Sequence, residues 1–270
     1  MVKSWIFRGI SNGILTTKYP AAKPTSEEIP IRSIPPSATA ESNWTIGKNK
    51  CPTGAIQLQP KRNVDLGKCI YCRRCDNAGF VFKEEDRMSN AVLQARTLST
   101  TSSDKKIIKE FEKKRRIFGK SFHILMIDVG SCNACNLEVL NLSNPYYDIS
   151  RLGIFFTNSP KHADALIVVG ALNKAMIEAL KNTYESMPEP KMVVSIGACA
   201  ISGGIFQDTE SFVSPIEDLI PVDATVPGCP PTPIQILEGL LLCTGKLEKQ
   251  QLDEENQTEG QYKIRNPGEE

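Results

Sequence analysis

No apolar run in this 270-residue chain is long enough to cross a bilayer. The most apolar stretches, Ala163 to Leu172 and Ile234 to Cys243, fall short of the roughly 20 residues a membrane helix needs. The first residues do not combine a basic start, a long apolar core and a small-residue cleavage site, and Arg8 stands alone rather than in a twin-arginine pair, so no secretory leader is expected. No excess of one charge is present either: 32 Lys+Arg face 31 Asp+Glu. That balance removes the electrostatic footprint of nucleic-acid binding, and no nucleic-acid partner is expected. Neither G-x-G-x-x-G nor a Walker loop occurs, so direct binding of NADH, flavin or ATP has no support. The expectation is a cytoplasmic globular protein of one large or two modest domains.

Cysteine is what the chain does have. Nine cysteines are many for a reducing compartment, where disulfides do not persist. They stand at 51, 69, 72, 75, 132, 135, 199, 229 and 243. Four gather early and four serve the second half, and this division organises the chain.

Residues 1–43 read as an amphipathic N-terminal segment followed by a Pro-rich linker. Trp5, Ile6, Phe7, Ile10, Ile14 and Leu15 gather on one side of a helix over 1–18, which suits a membrane surface, a partner subunit or the protein's own core. Residues 44–83 are rich in cysteine, glycine and turn residues, and too few to bury a core without a metal staple. Residues 84–120 form a polar connector and a basic helix, KKIIKEFEKKRRIFGK. Residues 246–270 form a loosely held polar tail.

From Ser121 to 245 short apolar runs alternate with helical segments. FHILMID precedes a helix from about Asn133; GIFFT follows; ALIVVG precedes a helix from about Asn173; then come MVVSIG and VDATVPG, with a last helix from Thr232. Continuous apolar runs are the mark of parallel strands buried on both faces. The predicted fold is α/β: a doubly wound, mainly parallel, flavodoxin-like sheet, with a small N-terminal ferredoxin-like α+β domain over 44–83. Ligands of such sheets bind beyond the carboxyl ends of the strands. Cys132, Cys135, Cys199 and Cys229 all fall there.

Cys69, Cys72 and Cys75 form a C-x-x-C-x-x-C run, and Cys51 precedes Pro52. In bacterial ferredoxins the repeat is C-x-x-C-x-x-C-x-x-x-C-P, whose fourth cysteine ligates the other cluster. Cys51 is thus the natural fourth ligand of a 4Fe-4S cluster. Counting back from Cys51 by the same spacing reaches Gly47, Trp44 and Glu41, and counting forward from Cys75 reaches Gly79. Both losses remove one cluster of a pair and spare the other. Four thiolates also suit a structural zinc site, and a disulfide scaffold is the third reading. The stretch resembles the ferredoxin-like subunit that links clusters in complex I and in membrane-bound hydrogenases.

The second set lies in GSCNACNLE, IGACAISGG and VPGCPPTP. Small neighbours such as Gly130, Ala134, Gly197, Gly204 and Gly228 let backbone approach the sulfurs and leave room for an inorganic core. These phrases, with SPKHADALIVVGAL, resemble in order the small subunit of energy-converting, membrane-bound NiFe hydrogenases, including that of formate hydrogenlyase, and its complex I homologue. The resemblance implies that Cys132, Cys135, Cys199 and Cys229 carry the 4Fe-4S cluster nearest a partner's active site. Two 4Fe-4S clusters would then be present.

The complex I homologue carries two adjacent cysteines, whereas Asn133-Ala134 separates Cys132 from Cys135 here. That favours the hydrogenase-like branch. The implied partners are a NiFe-hydrogenase-like large catalytic subunit, membrane-arm subunits, and a low-potential donor such as ferredoxin or formate dehydrogenase. The implied location is peripheral, on the cytoplasmic face of the cell membrane. A complex I-like quinone oxidoreductase and a non-catalytic assembly module with structural metal sites are the alternatives. Glu138, three residues after Cys135, is a candidate proton relay or an ordinary helix-end charge. His123 and Cys243 read as structural, and His162 as a loop or partner contact.

Overall fold

The computed structural model describes residues 9, 11, 16, 36–39, 41–59, 62–82, 92–93, 121–213, 215–249 and 262–264. Most of the N-terminal amphipathic segment, the whole basic helix candidate and most of the polar tail lie outside these residues.

The early cysteines sit in a small module. Strand β1 (Ser37–Ala38) is followed by helix α1 (Trp44–Lys50), β2 (Ile56–Gln57), β3 (Asn63–Val64) and β4 (Phe80–Val81). Both ladders are antiparallel, β1 with β4 and β2 with β3. Asn43 caps α1 by accepting from the Ile46 amide at 3.1 Å. The core of the module is Ile56, Ala78 and Phe80, with Trp44 and Val64 packed against it. Trp44 meets Phe80 edge-on, with ring centroids 5.3 Å apart. A Cβ on Gly47 would lie 2.6 Å from the Phe80 ring. Two positions that the cysteine count reaches, Trp44 and Gly47, are therefore filled by hydrophobic packing.

The second half folds as the apolar runs require. Strands β6 (Phe122–Asp128), β7 (Ile154–Phe156), β8 (Ala165–Val169), β10 (Met192–Ile196) and β12 (Ala224–Val226) form a parallel sheet. In space the order is β7-β6-β8-β10-β12, the flavodoxin-like arrangement with its switch point between the first and third strands. Helices α2 (Ala134–Leu140), α3 (Ile177–Glu185), α4 (Ala198–Ser202) and α5 (Pro233–Thr244) complete it.

Period-two alternation divides the core into two layers. Along β8, Ala165, Ile167 and Val169 face α2 and α5, while Leu166 and Val168 face α3 and α4. All twelve residues of α5 are buried, as a helix covering the middle of a sheet must be. Its start is fixed by Gln235, whose side chain accepts the Thr232 amide at 2.9 Å, and by Pro233 in the first turn. Each of its fully covered leucines contributes about 1.5–3 kcal/mol of burial.

Three details depart from the sequence reading. The connector contributes a strand, β5 (Val92–Leu93), antiparallel to β12 at the sheet edge. The helix expected from about Asn173 does start there, with Asn173 capping a 3-10 turn (Lys174–Met176) that leads into α3 at Ile177. Asn173 also ends a short strand the sequence reading did not contain, β9 (Leu172–Asn173), paired with β11 (Phe212–Val213). In the tail, β13 (Leu247–Lys249) pairs with β14 (Tyr262–Ile264), so that stretch is not wholly irregular. Among the described residues, no helix is long and apolar enough to cross a membrane.

Candidate iron-sulfur sites

Both cysteine sets converge. In the module, a pocket is lined by Cys51, Cys69, Cys72 and Cys75 together with Ala55, Val64 and Phe82. Cys51 ends α1, and its Sγ accepts the Ala55 amide at 3.3 Å; the Cys69 Sγ accepts the Tyr71 amide at 3.5 Å. Burial works against ionisation of Cys51, but hydrogen bonds from Thr53, Ala55 and Ile56 outweigh it and lower its pKa. Burial, with the neighbouring Cys51, Cys75 and Cys72, pushes Cys69 up to about 12. Tyr71 and Arg73 take left-handed backbone conformations, and the Arg73 guanidinium lies over the Phe82 ring at 5.1 Å. The loop that spaces the three cysteines is thereby held against the core of its own module.

The second set stands at the carboxyl ends of β6, β10 and β12. Cys132 and Cys135 flank the start of α2, Cys199 lies in α4, and Cys229 precedes α5. Burial, followed by Cys199, Cys229, Cys132 and Glu138, pushes Cys135 up to about 12. Burial, followed by Cys229 and Cys132, raises Cys199 to about 11. Cys229 is raised as well, by burial first, and a positive core bound among these sulfurs would favour their thiolate forms.

Glycine backbone forms the cradle. A Cβ on Gly197 would lie 2.6 Å from the Cys135 Sγ, and one on Gly204 3.2 Å from the Cys199 Sγ. Amides cross-link the loops: Ala198 donates to the Gly228 carbonyl at 2.8 Å and Gly197 to the Val226 carbonyl at 2.9 Å. Among the described residues, no three His, Cys, Asp or Glu side chains close to the spacing of a single ion. A four-iron cluster makes a wider demand, because each thiolate binds a different iron. The thiol sets, the pocket and the glycine cradle fit such a group.

The sequence reading missed the brace beneath Cys132. Asp128, the last residue of β6, accepts from the Gly130 and Ser131 amides at 2.9 and 2.8 Å. It also accepts from the Ser131 hydroxyl at 2.8 Å and the Asn136 amide group at 2.6 Å. Burial raises its pKa, yet these bonds prevail and lower it. An aspartate closing an apolar strand just before a cysteine loop was the available signal. Asn136, in the C-N-L-E phrase, is the buried partner that links this brace to α2.

The remaining candidates fall as follows. Glu138 is half-buried on α2 and near enough to influence Cys135. His123, on β6, pairs with Asp164 at 3.2 Å and stacks on Phe155. His162 is exposed in a short turn of helix. Cys243 is fully buried in α5, away from both sets.

The segments that bear the two sets meet: the Ser202 hydroxyl, three residues after Cys199, lies 3.1 Å from the carbonyl of Gly67, two residues before Cys69. Cys229 is raised by burial, then by Cys132 and by Cys72 of the other set.

The fold is a parallel sheet bearing four cysteines at its strand ends, and comparison with known proteins gives the family. The family model described as NADH ubiquinone oxidoreductase, 20 Kd subunit, matches residues 132–243. The probable membrane-bound hydrogenase subunit mbhJ of Pyrococcus furiosus is 38% identical over 152 residues, covering 56% of this chain and 91% of the relative. Formate hydrogenlyase subunit 7 of Escherichia coli is 39% identical over 130 residues, 48% of this chain and 51% of the relative. An NADH-quinone oxidoreductase subunit of Citrifermentans bemidjiense is 46% identical over 113 residues, 42% of this chain and 66% of the relative. The chain belongs to the NADH ubiquinone oxidoreductase 20 Kd subunit family and is a subunit of an oxidoreductase. The four early cysteines lie outside the matched residues.

Proposed function

We propose that this chain is the electron-transfer subunit of a membrane-associated, hydrogenase-like complex and holds two 4Fe-4S clusters. Cys51, Cys69, Cys72 and Cys75 would hold one, and Cys132, Cys135, Cys199 and Cys229 the other. Bound there, the clusters would supply reversible one-electron storage, and the two sets would place that chemistry between an electron donor on the side of the first and a large catalytic subunit on the side of the second. The single observation that carries the reading is the gathering of two four-cysteine sets, one around a pocket of the module and one at the strand ends of the sheet, in parts of the fold that meet where the Ser202 hydroxyl lies 3.1 Å from the Gly67 carbonyl.

The residues of the chain do the rest. Backbone amides at Cys51 and Cys69 point at sulfur and tune its charge. Gly197 and Gly204 admit the sulfurs of Cys135 and Cys199. Cys132 and Cys229 are exposed, and Leu137, Leu140 and Ile205, each more than half exposed, stand beside the second set. An apolar rim at an oxygen-sensitive site supports a subunit interface there, above the roughly 1,200 Å² of stable complexes. Glu138 would relay protons at that interface.

As the resemblance of the cysteine motifs to membrane-bound hydrogenases implies, the complex would take electrons from a low-potential donor such as ferredoxin or formate dehydrogenase. It would couple their transfer to ion translocation through membrane-arm subunits, with this chain peripheral on the cytoplasmic face. The identity to the Citrifermentans NADH-quinone oxidoreductase component supports a second reading, a complex I-like enzyme that reduces a quinone. Cluster-specific variants test the proposal. Cys72→Ala removes only the N-terminal paramagnetic signal and Cys135→Ala only the other, whereas stoichiometric zinc in the wild-type chain contradicts it.

A further inference from the structure

One contact between the cysteine module and the sheet is made by a short helix. Helix α4 carries Cys199 in its first turn and ends at Ser202. The Ser202 hydroxyl lies 3.1 Å from the Gly67 carbonyl, across 135 positions of sequence, and 3.0 Å from the Ala198 carbonyl one turn back, so its single proton is shared between the seam and its own helix. The same oxygen accepts the Gly204 amide at 3.3 Å, and Gly204 is the residue whose absent Cβ leaves room for the Cys199 sulfur. On the other side, Gly67 opens the turn that leads into Cys69, and its amide is held by Asp65 at 2.9 Å. Ile201 fills the remaining space: a Cβ on Gly67 would lie 2.9 Å from the Ile201 Cγ2 and 3.2 Å from the Asp65 Oδ1.

This seam is built for close approach. Gly67 is not in a left-handed conformation, so backbone freedom is not what the turn needs; the missing side chain is. Ile201 is β-branched, and its Cγ2 is attached at the stiff first torsion, so it cannot swing away as the end of a long chain would. Any larger residue at 67 must separate the turn from α4. Since Cys69 follows Gly67 by two positions and Cys199 precedes Ser202 by three, a displacement at the seam is carried directly to both cysteine sets.

Resting on the two-cluster reading above, we propose that Gly67, Ile201 and Ser202 are positioning residues that set the separation between the two clusters. The module lines a pocket with its own four cysteines, and the sheet gathers the other four at its strand ends. What neither builds alone is the distance between them, and Gly67 against α4 is the contact that fixes it.

The test uses the full chain, purified anaerobically and reduced. Two paramagnetic clusters at close range split each other's resonance lines, and the splitting reports their separation independently of any turnover. The wild type is expected to show the splitting with about eight irons per chain. Gly67→Val is expected to keep that iron content and lose the splitting, and Ser202→Ala to weaken it. Gly67→Ala combined with Ile201→Ala, which returns the space, is expected to restore it. Unchanged splitting in Gly67→Val at full iron content overturns the proposal, and unchanged splitting in Ser202→Ala does so if the valine variant does not fold. A wild-type chain with full iron and no splitting overturns it as well. Wild type with about four irons overturns the two-cluster reading beneath it instead.

Discussion

Gly197 and Cys135 touch so closely that no side chain fits between them: a Cβ on Gly197 would stand 2.6 Å from the cysteine sulfur. Gly197 also holds a φ of +87° at the turn from β10 into α4, a region that residues with a side chain rarely enter. The turn therefore needs glycine twice, once for the backbone and once for the sulfur.

Replacing Gly197 by Ala is expected to cost about 1–3 kcal/mol from the backbone alone. It also displaces Cys135, so the variant should lose the signal of the second cluster and keep that of the first. Denaturant titration and spectra of the reduced protein measure both. A variant that retains both signals would show that the sulfur has room to move.

The raised thiols give a pH dependence to the metal-free chain. Cys135 and Cys199 are pushed up from 9.0 to about 12 and about 11. A folded-state pKa above the unfolded value contributes stability that is whole below the unfolded pKa and lost as pH rises through the folded one. Metal-free protein should thus lose stability progressively above about pH 9, and cluster insertion at neutral pH should release protons. The loaded protein, whose thiols are already ionised, should lack this alkaline loss. Chemical denaturation between pH 7 and 11 checks the contrast.

Cys243 supplies the control. It is buried with no exposure, among the leucines of α5. Cys243→Ala should leave iron and sulfide content unchanged and cost about 1 kcal/mol through the small cavity it creates. Loss of iron in this variant would bring the ninth cysteine into a cluster site.

Glu138→Gln tests the proton relay. The neutral side chain should slow turnover of the assembled complex, with cluster content and subunit association unchanged. Wild-type turnover would leave Glu138 as a helix charge, and loss of association would make it an interface residue.

The features that were legible in the sequence are those with local signatures. The ALIVV run reads as a strand buried on both faces, and every one of its residues is buried, its two faces feeding two core layers. The cysteines were placed at strand ends because each follows an apolar run and a small residue. Val92–Leu93 escaped notice because two residues among polar neighbours carry no periodicity, and only the edge of β12 makes them a strand. Asn173 looked like a helix start because its side chain does cap, accepting the Ala175 amide at 2.9 Å. The pairing of Asn173 with Phe212, 39 positions away, leaves no such local mark. Ser202 and Gly67 had no signal at all, since a hydroxyl and a carbonyl brought together by the fold leave no pattern in either segment.

Quantitation of iron and acid-labile sulfide in the anaerobically purified chain tests the central claim most directly. Two four-cysteine sites predict about eight of each per chain. About four of each, or zinc in their place, would contradict it.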